Sequence, residues 1–260
     1  MTETITAANT AFLRDGGALG GLIAAFDWSG TPLGPIAGWS ATLRSTVGLA
    51  LRATVPIVTL WGEDGVMIYN DAFAEFAGGR HPEVLGAKVR EGWPEVAEFN
   101  DHVMRVGLAG GTLAFKEQEL LLERDGVPMP VWMNLDYSPI PDENGVPVGV
   151  IAFVVETTDA FIARQWQAAE QDRLRQMFEQ APGFMAMLGG PSHVFEMANS
   201  AYMQLIGHRD VIGKTVRAAL PEVVGQQYFE LLDGVFLSGK PFIGRSLPAS
   251  IQRTPGADLE

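Results

Sequence analysis

The 260-residue chain contains no cysteine. That excludes disulfides, zinc–thiolate sites, iron–sulfur clusters and a thiol nucleophile. Cationic side chains are scarce: 18 Lys and Arg stand against 31 Asp and Glu, a formal net charge of −13. A surface of that sign repels phosphate backbones and anionic membranes, so no nucleic-acid partner is expected. Long hydrophobic runs are also missing. The longest apolar stretch, residues 146–155, is interrupted by Pro147 and Gly149 and is too short to span a bilayer, so no membrane insertion is expected. The N-terminus lacks the basic start and cleavage pattern of a signal peptide, and a cytoplasmic location is expected. Hydrophobic residues make up 47% and charged residues 19% of the chain, enough apolar material for packed cores. At roughly 150 residues per domain, the length suggests one large domain or two small ones.

An internal repeat decides between these. The segment Val66-Met67-Ile68-Tyr69-Asn70-Asp71-Ala72-Phe73 returns as Val194-Phe195-Glu196-Met197-Ala198-Asn199-Ser200-Ala201-Tyr202. Leu85-Gly86-Ala87-Lys88-Val89-Arg90 followed by Trp93-Pro94-Glu95-Val96 matches Ile212-Gly213-Lys214-Thr215-Val216-Arg217 followed by Leu220-Pro221-Glu222-Val223. Gly111 before Phe115 parallels Gly239 before Phe242, and all these anchors stand 127 to 129 residues apart. Two copies of one module lie in tandem. The repeat also accounts for Gly213-Lys214-Thr215, which shares only the last three letters of a phosphate-binding loop.

Within the first copy, residues 56–61 read as a strand, Gly62-Glu63-Asp64-Gly65 as a hairpin turn, and 66–69 as the returning strand. Asn70 is placed to cap a short helix that carries Phe73 and Phe76. An amphipathic helix over 95–108 follows, with Phe99, Val103 and Val106 at helical spacing. Strands are predicted over 113–123, 131–140 and 148–157, separated by turns at Arg124-Asp125-Gly126 and Pro141-Asp142-Glu143-Asn144-Gly145. This order implies an α+β fold, a five-stranded antiparallel sheet with helices on one face. The boundaries are a helical leader over 1–54, a first module over 55–158, a linker helix over 159–180, and a second module over 181–260 that lacks its last strands. Along the linker helix, Ile162, Trp166 and Ala169 begin a loose apolar stripe, read either as packing on the helix's own domain or as a dimer contact.

These residues resemble PAS domains. The hairpin into Ile68-Tyr69-Asn70-Asp71-Ala72-Phe73 is similar to the start of that family, and the run from Val131 to Val150 to its closing hairpin. Glu156-Thr157-Thr158 stands where the family carries its Asp-x-Thr junction to an output helix, with Glu in place of Asp. The leader, Phe26-Asp27-Trp28-Ser29-Gly30-Thr31-Pro32-Leu33-Gly34-Pro35 with Gly38-Trp39, Leu43-Arg44 and Trp61-Gly62, resembles the start of proteobacterial PAS sensor histidine kinases, many of the HWE type. The resemblance implies a tandem sensory region that relays a ligand or partner signal through the linker helix to a downstream kinase domain, working as a homodimer. No phosphoacceptor region or ATP-lid motif is found in the chain, so it is expected to have no enzyme activity of its own.

For the ligand, the resemblance leaves alternatives open. A cysteine-adduct flavin is excluded, because the chain has no cysteine and carries Met133 and Val154 where flavin-binding relatives place Asn and Gln. A haem would take His102, on the long helix, as its axial ligand; the competing reading of His102 is a solvated helix-face residue. A small apolar or aromatic ligand would occupy a cavity lined by Met67, Tyr69, Phe73, Trp93, Phe99, Met133, Leu135, Tyr137 and Phe153. The same residues packed on one another would form a ligand-free core, with a dimerisation scaffold as the function. Trp132 falls on the outer sheet face and is a candidate interface residue, open either to a second subunit or to leader segments 18–26 and 41–51.

Overall fold

A computed structural model of the chain describes residues 10–124, 126–245, 247–248 and 250–251. Asp125 of the predicted turn and the last nine residues of the predicted second module lie outside the described residues. The chain divides into two compact units, one ending at Ala163 and the other beginning at Arg164.

The first unit opens with helix α1 (Gly17–Ala25) and helix α2 (Ala41–Leu51). Ser40 caps α2, its hydroxyl accepting from the Leu43 N–H at 3.1 Å, as expected of a serine at this position. The aromatic residues of the leader form a cluster: Trp28 meets Trp39 edge-on at 5.0 Å, and Phe26 and Phe12 flank the pair. Both indole N–H groups donate to nearby carbonyls, Trp28 to Ile23 and Trp39 to Gly34. The leader motif is therefore a packing device.

Strands β1 (Ile57–Trp61) and β2 (Val66–Tyr69) form the predicted hairpin. They lead through Asn70 into α3 (Asp71–Ala77), and then to α4 (Val89–Gly92) and α5 (Ala97–Leu108). Strands β3 (Leu113–Arg124), β4 (Val127–Pro141) and β5 (Pro147–Glu156) complete a five-stranded sheet in the order β2-β1-β5-β4-β3. Every pairing is antiparallel. Helix α5 lies against β3, β4 and β5. Its approach to β5 needs Gly107, where an added Cβ would stand 2.3 Å from Val150 Cγ2.

The other face of the sheet is not bare. Thr59 and Ile68, paired across β1 and β2 on the side away from Val58 and Leu60, are 0% and 1% exposed, and α2 packs against both strands. Helix α2 of the leader thus covers the β1–β2 end of the outer face. Asn70 joins these parts. Its Oδ1 accepts from the Ile57 and Phe73 N–H groups, both at 3.0 Å, and its amide donates to the carbonyls of Ala50, Ala53 and Val55. One fully buried side chain caps α3 and also ties down the end of α2.

Helix α6 (Thr158–Glu179) begins in the first unit and continues into the second. The second unit holds a hairpin, β6 (Ala186–Gly189) and β7 (Val194–Ala198), followed by α7 (Ser200–Leu205), α8 (Val216–Ala219) and α9 (Tyr228–Ser238). Its core is smaller, built on Phe195, Ile206, Val211, Val216, Leu220, Val223 and Phe229. Among the described residues after α9 no further strand forms. That stretch is held by Gln226, which exchanges two hydrogen bonds with the Ser250 backbone, and by Tyr228 Oη, which donates to the Pro248 carbonyl.

Candidate functional site

The inner face of the five-stranded sheet and the helices over it enclose a cavity of about 60 Å³. Its walls include Val58 and Leu60 of β1, Met67 of β2, Phe73 and Phe76 of α3, Trp93 just after α4, Phe99 and Asn100 of α5, and Leu120 and Leu122 of β3. Met133, Leu135 and Tyr137 of β4 and Ala152 and Val154 of β5 close it. Seven of the nine predicted pocket residues line it: Met67, Phe73, Trp93, Phe99, Met133, Leu135 and Tyr137.

Two do not. Tyr69 is buried but turns to the loop after α3, its hydroxyl 2.9 Å from His81 Nδ1. Phe153 lies on the opposite face of the sheet and is 37% exposed. Register decides this: Tyr137 pairs with Ala152 and Leu135 with Val154, so these share the inner face, while Phe153 stands opposite Asp136. The sequence reading missed the other ten lining residues, Phe76, Asn100, Ala152 and Val154 among them.

His102 is also corrected. The buried stripe of α5 is Asn100, Val103, Met104 and Gly107; His102 falls on the solvent side, its Nδ1 3.4 Å from Arg105 Nη2. No histidine lines the cavity, and its volume is below the 150 Å³ of an engineered site that admits benzene. The residues present do not fit a haem here. Among the described residues, no group of three His, Asp or Glu is placed to hold a metal ion.

The polar content of the cavity is sparse. The Asn100 side chain and the Tyr137 phenol are 8% and 7% exposed. Neither has a hydrogen-bond partner among the described residues. Burial alone pushes the Tyr137 phenol above the usual tyrosine range. Burial does the same, first, for Tyr69, with Glu83 adding to it.

One wall of the cavity connects to the start of α6. Phe76 lies under the Arg124 guanidinium, 5.9 Å from ring to Cζ. Arg124 pairs with Glu156, Nη2 to Oε2 at 2.5 Å. Glu156 Oε1 accepts from the Thr158 hydroxyl at 2.7 Å. The Trp132 N–H donates to Thr158 Oγ1, and the Trp132 carbonyl accepts from the N–H and hydroxyl of Thr157. All three junction residues, Glu156, Thr157 and Thr158, are therefore bonded to the sheet. Trp132 is not an open docking residue. Its ring stacks on Phe161 at 4.4 Å and 11°, so the first turn of α6 covers it instead of the leader helices. Farther along α6, Ile162 is 41% and Trp166 74% exposed, Ala169 is exposed, and no residue of the helix is buried.

Residues 51–160 match the family described as "PAS fold", and residues 172–238 the family described as "PAS domain". The chain carries two PAS-family domains in tandem. Among solved structures, the PAS domain of BvgS from Bordetella pertussis is 20% identical, with 51% of this chain aligned to 99% of that one at a TM-score of 0.38. A sensory box sensor histidine kinase from Vibrio cholerae is 21% identical over 42% of this chain and 82% of that one, TM-score 0.32. An RNA-binding Light-Oxygen-Voltage receptor is 19% identical over 48% of this chain, TM-score 0.37, and only 35% of that receptor's length is spanned. No helix among the described residues is long and apolar enough to cross a membrane.

The second PAS domain repeats several parts of the first. Asn199 accepts from the Met185 and Tyr202 N–H groups and donates to Ala181 and Gly183, as Asn70 does in its own domain. An Arg–Glu pair also recurs, Arg80–Glu95 and Arg209–Glu222, each at 2.6 Å.

Proposed function

We propose that the chain is a sensory input module in which a small molecule in the first PAS cavity alters the hold of the sheet on α6. The altered helix would then relay the change to a histidine kinase domain elsewhere in the parent protein. The observation that carries this reading is the continuous contact from the cavity wall at Phe76, through Arg124 and Glu156, to the Thr158 hydroxyl. A two-state shift of the first turn of α6 would be biased by whichever arrangement the occupant favours. The chain itself is proposed to be non-catalytic and cytoplasmic. Filling the cavity tests the relay: Ala152→Ile should change amide exchange at residues 157–162 several-fold while the domain stays folded. Unchanged exchange there in a folded variant would dismiss the relay.

A second reading, a dimerising scaffold, is favoured by the exposed apolar side chains of α6, namely Ile162, Trp166, Leu174 and Met177. Homodimerisation along this stripe is proposed under either reading. Sedimentation of Trp166→Glu against the parent chain tests it, with loss of a dimer expected; a dimer of unchanged strength would remove α6 from the interface.

A further inference from the structure

Two polar groups face an otherwise apolar cavity without any protein partner. Asn100 comes from the first turns of α5 and Tyr137 from the middle of β4, so they reach the cavity from opposite layers. Both are more than nine-tenths buried. Their polar atoms are not among those sealed from a water-sized contact, and the cavity offers such space beside them, so a hydrogen-bonding group of a ligand can take the place that water would fill. No Lys, Arg, Asp, Glu or His lines the cavity, so an ionised occupant would be left without a counter-charge in a low-dielectric site.

We propose that the first PAS cavity is selective for a small neutral apolar molecule carrying one hydrogen-bonding group, such as a hydroxyl or carbonyl, read jointly by Asn100 and Tyr137. This rests on the sensory reading of the cavity. An amide and a phenol between them donate and accept, so the polar group of the ligand can be of either kind. Size bounds the class further. About 60 Å³ is open, whereas a 150 Å³ cavity admits benzene. A one-ring occupant therefore displaces the unbranched side chains of Met67 and Met133, which repack with little penalty.

The test uses the full 260-residue chain and three matched probes: phenol, toluene and benzoate. Phenol should bind at least about tenfold more tightly than toluene, the worth of one to two net hydrogen bonds. Benzoate should not compete. Tyr137→Phe and Asn100→Leu each keep the side-chain shape, should leave the melting temperature unchanged or raise it, and should erase the preference for phenol. Toluene bound as tightly as phenol, with Ala152→Ile blocking both, would overturn the polar selectivity while leaving a ligand cavity in place. Binding of neither probe, with parent and Ala152→Ile indistinguishable, would overturn the selectivity and the sensory reading together. Benzoate competing as well as phenol would overturn neutrality. A Tyr137→Phe variant that melts well below the parent would mean that the phenol serves the fold and not a ligand.

Discussion

The two PAS domains carry the same joints around unequal cores. Each has a buried asparagine that caps its first helix and gathers carbonyls from the preceding chain. Each has an Arg–Glu pair at 2.6 Å and one isolated bridge from its second strand, Val66 to Lys88 and Val194 to Thr215. Only the first surrounds these joints with five strands; the described part of the second has a two-stranded sheet. The joints are therefore local devices, set by short-range sequence, and the cavity depends on β3, β4 and β5. A repeat can preserve the joints without preserving a site.

The largest effect expected from this difference is at the asparagines. Asn70→Ala would orphan two N–H groups and three carbonyls in a well-packed core, and should destabilise the first domain by about 4 kcal/mol. Asn199→Ala removes four bonds in a smaller, partly buried setting, and should cost about 2 kcal/mol. Urea unfolding followed by probes in each domain checks both. Equal losses would mean that the surrounding core does not set the value of the joint.

The Arg–Glu pairs should differ in sign as well as size. Arg80 donates to the carbonyls of Gly92 and Glu123 as well as to Glu95, and lies 4.4 Å over Trp93. Glu95 in turn accepts from the Glu123 N–H. The double change Arg80→Met with Glu95→Leu breaks this link to β3 and should cost about 2–3 kcal/mol. Arg209 reaches Glu222 and the Ala219 carbonyl, and its buried Nε has no hydrogen-bond partner. Replacing it and Glu222 together by Met and Leu should be neutral or stabilising by about 1 kcal/mol, since the desolvation cost of a buried pair then disappears. A destabilised second domain in that experiment would erase the contrast.

High pH offers a smaller lever. Burial raises the Tyr137 phenol above the ordinary value of 10.0. A raised value in the folded state means that its stabilising contribution is intact below pH 10 and is lost as pH rises above it. The first domain should lose about 1.4 kcal/mol per pH unit from this group above pH 10, and Tyr137→Phe should abolish that part of the slope. An unaltered slope in the variant would show that the phenol is not buried in solution.

The sequence disclosed those parts of the fold that depend on short spacing. Asn70 was readable as a cap because a helix needs an acceptor at that position; its three carbonyl partners, 15 to 20 residues upstream, were not. The β4 wall of the cavity, Met133, Leu135 and Tyr137, was legible from the clean alternation that begins at Val131. Phe153 was misplaced because residues 148–155 are almost continuously apolar, so periodicity cannot choose a face and only pairing with β4 does. His102 fell off the site for a related reason: the stripe through Phe99, Val103 and Val106 was visible, but its angular limits are set by the sheet beneath α5. Arg124 and Glu156 lie 32 residues apart, and nothing local in either strand announces that they meet.

The smallest expected effect separates the domains at one backbone position. Gly65 and His193 occupy the same place, the carbonyl of each accepting from the same turn: Val89 N–H donates to Gly65 and Val216 N–H donates to His193. Both residues have positive φ, +64° and +50°. In the first domain a side chain there would press on Val89 and Met104, so glycine is required. In the second, the histidine side chain is accommodated, and its Nε2 lies 2.7 Å from Asp233 Oδ1 on α9. His193→Gly should relieve about 1 kcal/mol of left-handed backbone strain and lose a similar amount from the hydrogen bond and from added unfolded-state freedom. The net change in global stability should stay within about 1 kcal/mol. Amide protection along α9 should nevertheless fall several-fold, because the tie between that helix and the hairpin is gone. A fall in global stability with α9 protection intact would reverse this assignment and make His193 part of the second core instead of a clasp on its last helix.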